Sequence, residues 1–257
     1  MKKTTQIKLV FGDTTVNLRQ FYKKIGNYCI EEKIKCPNFL AGVSLPEDIP
    51  YVNFLTEDEK YNAIVLNKNI KRADLFDYAV EAMSSEAYVI DNNGGILEAF
   101  YNDFTDMAEI YRTASTICEW LRIPCPQIIV SKNAPLNGCA YNTESGDETI
   151  WINIRQNDPI KEMYLTLAHE LRHAWQHKYN NEKYFKNYKM YDENSSYDEK
   201  VAYYFQPAEI DAFAFSVCFM GTIDDNYPLV IPFNEPVIQI NKRADEILNE
   251  LEILGII

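Results

Sequence analysis

The sequence predicts an α+β fold, and three observations carry that reading. Residues 103–123, "DFTDMAEIYRTASTICEWLRI", have apolar positions at helical spacing and stop at Pro124. Three short runs then read as strands: "PQIIVSK" (126–132), "GCAYN" (138–142) and "ETIWINI" (148–154). Two further helices follow, one from about Pro159 and one opened by Pro207 and closed near Gly221. Strands gathered between helices in this way indicate α+β.

Upstream of these, "IKLVF" (7–11) and "NAIVL" (62–66) read as strands, and residues 16–33 and 72–83 as helices. The polar turn formers of "VIDNNGG" (89–95) break the pattern. They divide the chain into an N-terminal α/β region over residues 1–95 and a second unit over 96–257. The first region carries no chemical motif. In the third strand of the second unit, Ile150, Ile152 and Ile154 alternate with Thr149, Trp151 and Asn153, the period of a half-buried strand. An amphipathic helix over about 235–254 carries Ile240, Ile247, Leu251 and Leu254, a face for the body of the protein or a partner chain.

Composition narrows the functional classes. The chain has 257 residues, 47% of them apolar and 25% charged, and a net charge of −13. Such an acidic surface repels nucleic acid. Lys8 and Gly12-Asp13 interrupt the start, so no signal peptide is expected. No apolar run approaches the roughly 18 residues of a membrane span. Six cysteines (Cys29, Cys36, Cys118, Cys125, Cys139 and Cys218) are scattered without a CxxC pair, the pattern of reduced thiols in a cytoplasmic protein.

All three histidines of the chain lie in "LTLAHELRHAWQHKY" (165–179). His169-Glu170-Leu171-Arg172-His173 is an HExxH sequence. On a helix, residues i and i+4 are about 6 Å apart along the axis and about 40° apart around it. Two imidazoles can then converge on one zinc ion, with the intervening glutamate placed to take a proton from water at the open metal position. A helical wheel sets Ile160, Met163, Tyr164, Leu167, Ala168, Leu171, Ala174 and Trp175 on one core stripe. His169 and His173 fall on the other side, about 180° and 220° from Ile160. A histidine that merely fills the core would lie within the stripe. His177 is about 12 Å beyond His169 along the axis. Ligands on one zinc need nitrogens within roughly 3.5 Å of each other, so His177 is expected at the surface or lining a cleft.

A catalytic zinc takes three protein ligands. With no other histidine, the third must be a carboxylate or a thiolate. "QPAEIDAFAFSVCFM" (206–220) is apolar apart from Glu209, Asp211 and Ser216. Carboxylates on so apolar a helix need a partner, and a dication is one.

An HELxH helix followed by E-x-D/E-A-x-x-F resembles the ImmA/IrrE-like zinc metallopeptidases. Glu209, Asp211, Ala212 and Phe215 complete the match, which extends over roughly residues 100–221. The resemblance implies a zincin-like domain: helix, short three-stranded sheet, HExxH helix, glutamate-bearing helix. It implies His169, His173 and Glu209 as zinc ligands and Glu170 as general base. It also implies that a strand like "TIWINI" lines the cleft and pairs with an extended peptide substrate. The sequence departs from the family in a tyrosine-rich insertion over residues 174–208 and in having no evident DNA-binding helix-turn-helix. With Pro207 in the first helical turn, Glu209 and Asp211 are about 200° apart, so only one can face the metal. Ala212 and Ser216 on the Glu209 side favour Glu209.

The resulting expectation is a cytoplasmic zinc endopeptidase acting on a protein or peptide, without nucleic-acid or membrane partners. A phage or mobile-element repressor is the substrate that analogy offers. For the oxyanion, Tyr203, Tyr204, His177 and Arg172 are the nearby donors in sequence. The alternative is a zincin-fold metal sensor or interaction module with little turnover.

Overall fold

The computed structural model describes residues 17–56, 62–90, 107–132, 137–141, 149–155, 159–191, 194–224, 227, 231 and 233–257. Within them the architecture is mixed α+β. The elements run α1 (Arg19–Glu32), β1 (Asn38–Val43), β2 (Tyr51–Thr56), β3 (Asn62–Asn67), α2 (Leu75–Met83), β4 (Tyr88–Ile90), α3 (Ala108–Leu121), β5 (Gln127–Ser131), β6 (Gly138–Tyr141), β7 (Thr149–Arg155), α4 (Ile160–Phe185), α5 (Tyr197–Tyr204), α6 (Pro207–Gly221) and α7 (Val237–Ile253). The expected strand at 7–11 and most of the expected turn at 89–95 lie outside the described residues. Among those described, no helix is long and apolar enough to cross a membrane.

Two sheets form. One has the order β1-β3-β2-β4 and the other β5-β7-β6. In the first, β1 and β3 run parallel, with a register shift between Leu40 and Val43. Gly42 takes up that shift at φ 77°, a conformation that side chains with a Cβ rarely adopt. Alternate residues divide between the faces. Phe39, Ala41, Ile64 and Leu66 enter the main core, while Leu40, Val43, Val52, Phe54 and Val65 form a small cluster on the other side. In the second sheet, β7 is central, parallel to β5 and antiparallel to β6. The expectation that "TIWINI" offers a pairing edge is therefore corrected: both its edges are occupied, and β6 is the outer strand on that side.

The main core takes residues from both sides of position 95. Leu18, Phe21, Tyr22, Ile25, Ile64 and Leu66 share it with residues of α3, β5, β7, α4, α6 and α7. Helix α1 lies very close to α3. A Cβ on Gly26 would sit 2.7 Å from the Ala108 carbonyl oxygen, so only glycine permits the approach. Tyr22 and Tyr111 stack across this contact at 4.2 Å and 10°. Their buried hydroxyls then reach the sheets: Tyr111 accepts from the Phe39 amide (2.8 Å) and Tyr22 from the Ile128 amide (3.0 Å).

Gln127 joins the two sheets. Its Oε1 accepts the Ala41 amide at 2.9 Å, and its Nε2 donates to the Phe39 carbonyl at 2.8 Å. A side-chain amide thus stands where a neighbouring strand would otherwise pair with β1. Gln127→Leu keeps the volume but strands a buried N–H and a buried C=O, each costing about 1–3 kcal/mol. Urea unfolding should register a loss of at least about 2 kcal/mol. A negligible shift of the midpoint would mean that these groups find other partners.

Candidate metal centre

Helix α6 is apolar on nearly every side, and a helix of that kind is buried all round. Glu209 and Asp211, each 1% exposed, are carried into the interior with it. An unpaired charge there would cost several kcal/mol, so both must meet compensating groups. Helix α6 packs on α4, and against the side of α4 that carries the imidazoles. Helix α4 forms its core stripe in the middle, where Met163, Leu167, Ala168, Leu171 and Ala174 are buried, but Tyr164 and Trp175 are only partly buried and Ile160, at the helix start, is 38% exposed. Its polar side is not solvated: His169, Glu170, Arg172, His173, Gln176 and His177 are all buried too. The helix bends at Asn180 (φ −146°, ψ 35°).

Three side chains converge here. His169 Nε2 lies 3.4 Å from Glu209 Oε2, His173 Nε2 lies 3.4 Å from Glu209 Oε1, and the two ring nitrogens are 3.0 Å apart. A tetrahedral ion with bonds of about 2.0–2.1 Å holds its ligands about 3.3 Å apart. The set His169, His173 and Glu209 could therefore hold a metal ion without rearrangement. Burial works to lower the basicity of His173, but the adjacent Glu209 carboxylate reverses this and pushes it up to about 9. Burial works to raise Glu209, and the two imidazoles hold it well below the usual range. His173 and Glu209 thus favour each other's charged forms, and a cation entering here would compete with a proton. Glu170 follows His169 directly; burial pushes its carboxyl up, against the pull of the two imidazoles.

Asp211 is the hub of a second layer. It accepts from Arg172 at both oxygens (Nε to Oδ2 2.7 Å, Nη2 to Oδ1 3.1 Å), from Arg243 Nε at 2.8 Å and from Gln176 Nε2 at 2.9 Å. Arg172 also lies 3.9 Å over the Trp175 ring. Gln176 in turn has its Oε1 2.8 Å from His173 Nδ1. Glu209 and Asp211 do diverge around α6, yet both meet α4, about one helical turn apart along it.

Glu209 is held from its other side by a residue of the insertion. Tyr188 Oη lies 2.5 Å from Glu209 Oε1 and 2.7 Å from Tyr203 Oη. A phenol has one proton, so donation to the carboxylate leaves Tyr203 as donor to Tyr188. His169 has no such support: its Nδ1 is buried without a hydrogen-bond partner, and the Phe213 ring packs on it at 4.4 Å.

Several expectations about neighbouring residues need revision. Of its two expected places, His177 is excluded from the surface. It is 5% exposed and stacked on Phe185 at 3.7 Å and 7°, and burial with the nearby His173 lowers its ring to about 4. Arg172 is committed to Asp211 and so is withdrawn from the role of oxyanion donor. Gln176, Tyr188 and Arg243 were not singled out in the sequence. Only Gln176 had a signal there, its position three residues after His173 on the same helical face.

Burial alone would raise Asp211, but its hydrogen bonds and the charge of Arg172 hold it at about 2. A carboxylate depressed on folding stabilises the fold above its unfolded value near 4, and that contribution is lost as pH falls through 2. Between those values the metal-free protein should lose about 2 kcal/mol more than Asp211→Asn does, read by denaturant unfolding. Parallel losses would show that Asp211 is not the titrating group. Tyr188→Phe removes the donor to Glu209 and should weaken metal binding about tenfold or more. Unchanged affinity in a chelator competition would contradict that role.

Comparison with protein-family models, with curated proteins and with solved structures gives no match to this chain. What it does has to be read from these residues.

Proposed function

We propose that the chain is a zinc-dependent endopeptidase of zincin-like design, similar to the ImmA/IrrE-like metallopeptidases. The observation that carries this is the convergence of His169, His173 and Glu209 within ligand distance, with Glu170 one residue after the first ligand. The element order α3, β5-β7-β6, α4, α6 supports it, being the helix, three-stranded sheet, HExxH helix and glutamate helix that the resemblance implies. The residue types favour zinc, which takes imidazole and carboxylate ligands in a tetrahedral set with one position left open. Buried free thiols at Cys29, Cys36, Cys118, Cys125 and Cys218 suit a reducing cytoplasm.

Bound zinc supplies Lewis acidity to a substrate carbonyl and increases the acidity of water. Glu170 takes a proton from the attacking water as the new C–O bond forms. It returns that proton to the amide nitrogen as the C–N bond breaks. Its burial makes it a stronger base than an exposed glutamate, which suits the first transfer. The outer edge of β6, antiparallel to β7, is the strand on which an extended peptide would add.

One observation favours a metal-binding module with little turnover. His169, Glu170, His173 and Glu209 are each at most 9% exposed, and Tyr188 closes on Glu209. A single set of measurements separates the readings. Purified protein should contain zinc, and Glu170→Gln should keep it while peptide hydrolysis falls by about 10²–10⁴-fold. His169→Ala should lose both. Zinc without hydrolysis in the wild type would favour the binding module, and no zinc at all would remove both readings.

A further inference from the structure

The amide of Gln176 can be oriented in only one way. Gln176 is fully buried, and its Nε2 faces the Ala208 carbonyl oxygen at 3.0 Å and Asp211 Oδ2 at 2.9 Å. Both neighbours are acceptors without a proton to give, so the NH₂ end must point at them. Flipping the amide would set its oxygen against a carbonyl and a carboxylate. Oε1 is thereby directed at His173 Nδ1, 2.8 Å away, which must carry hydrogen to meet it. The Nε2 of His173, which faces Glu209 and His169, is then the nitrogen left to give its lone pair to a metal.

Asp211 fixes this orientation and is itself fixed from α7. Its two oxygens accept four hydrogen bonds, about as many as a carboxylate offers. The fourth comes from Arg243, which is also paired with Glu246 (3.0 Å) and Glu250 (2.9 Å) on the outer side of α7. Helix α7 is held against α6 by Ile240, Ala244, Ile247 and Leu251, so the Arg243 head group is delivered by packing.

We propose that Gln176 is a positioning residue of the metal centre and that Arg243, on the C-terminal helix, acts on the centre through it. Arg243 secures Asp211, Asp211 orients the Gln176 amide, and Gln176 presents His173 with Nε2 toward the metal. The relay rests on the metal-site reading above. It makes the C-terminal helix, which contributes no ligand, a determinant of metal affinity.

Zinc affinity, measured by chelator competition on the full chain, tests it as a double-mutant cycle. Gln176→Leu should weaken zinc about 10–100-fold. Arg243→Met, at a partly exposed position and with Arg172 still paired to Asp211, should weaken it less. The double variant should bind no more weakly than Gln176→Leu alone, because the two act in series. The melting temperature of the metal-free proteins is read alongside. Lower stability with zinc affinity intact in Gln176→Leu would mean a purely structural role and overturn the proposal. If Gln176→Leu fails to fold, wild-type affinity in Arg243→Met overturns it. Additive losses in the double variant would overturn the route through Gln176. A wild type that takes up no zinc would instead defeat the metal-site reading, and the relay with it.

Discussion

The surroundings of α4 and α6 answer one constraint: three imidazoles and three carboxylates are buried on these two helices. Glu170, Glu209 and Asp211 are each at most 7% exposed. A carboxylate in such a place is tolerated only when charge and hydrogen bonds replace its lost hydration. Asp211 obtains this internally, from two guanidinium groups and an amide. Glu209 obtains it from two imidazoles and a phenol. One difference between them decides their chemistry. The partners of Asp211 are permanently charged or neutral and saturate it, whereas Glu209 faces two imidazoles, groups that can exchange a proton for a cation.

The two layers have different mechanical character. Gln176 and the Asp211 hub are held by residues of α4, α6 and α7, with α4 and α7 both packed on α6. Tyr188, which meets Glu209, comes from the segment between α4 and α5, beyond the bend at Asn180. Tyr203 and Tyr191 pack against one another and Tyr203 against Tyr188, and the Lys189 amide and carbonyl pair with the Gln206 side chain. One ligand is thus oriented from a rigid helical layer and another from a connecting segment.

Among the described residues, the N-terminal half contributes none to this centre, but it supports the frame. Helix α3 packs both on α1 and on α4, and the tyrosine pair Tyr22 and Tyr111 hydrogen-bonds to strands of both sheets. Gln127 serves β1 through its side chain while its backbone pairs β5 with β7, the strand packed against α4. The same sheet therefore contacts both β1 of the first half of the chain, through β5, and the HExxH helix, through β7 and β6.

Where the chemistry could be was legible from residue order alone. Histidines four apart on a helix must share a face, and a run such as residues 206–220 must be buried with its carboxylates, because helical geometry and desolvation cost are local properties of the chain. Helices α1, α2, α3, α4, α6 and α7 and strands β3, β5, β6 and β7 were legible because their periodicity is local too. Strand β1 was not: "NFLAGV" is buried on both faces and so has no alternation to read. Strand β2 hides behind Asn53, a polar residue buried because it donates to the Ala82 and Ser85 carbonyls. Helix α5 did carry a signal, the Ser196–Glu199 capping box, masked by its tyrosines. Leu254, counted on the buried face of α7, is half exposed because the helix ends before it. The tertiary structure alone decided the remainder: that β6 and not β7 forms the edge, that Tyr188 reaches Glu209, and that Arg243 reaches Asp211 from α7. Each of these joins residues far apart in the chain. Their meeting depends on how whole elements stack, and no local periodicity encodes that.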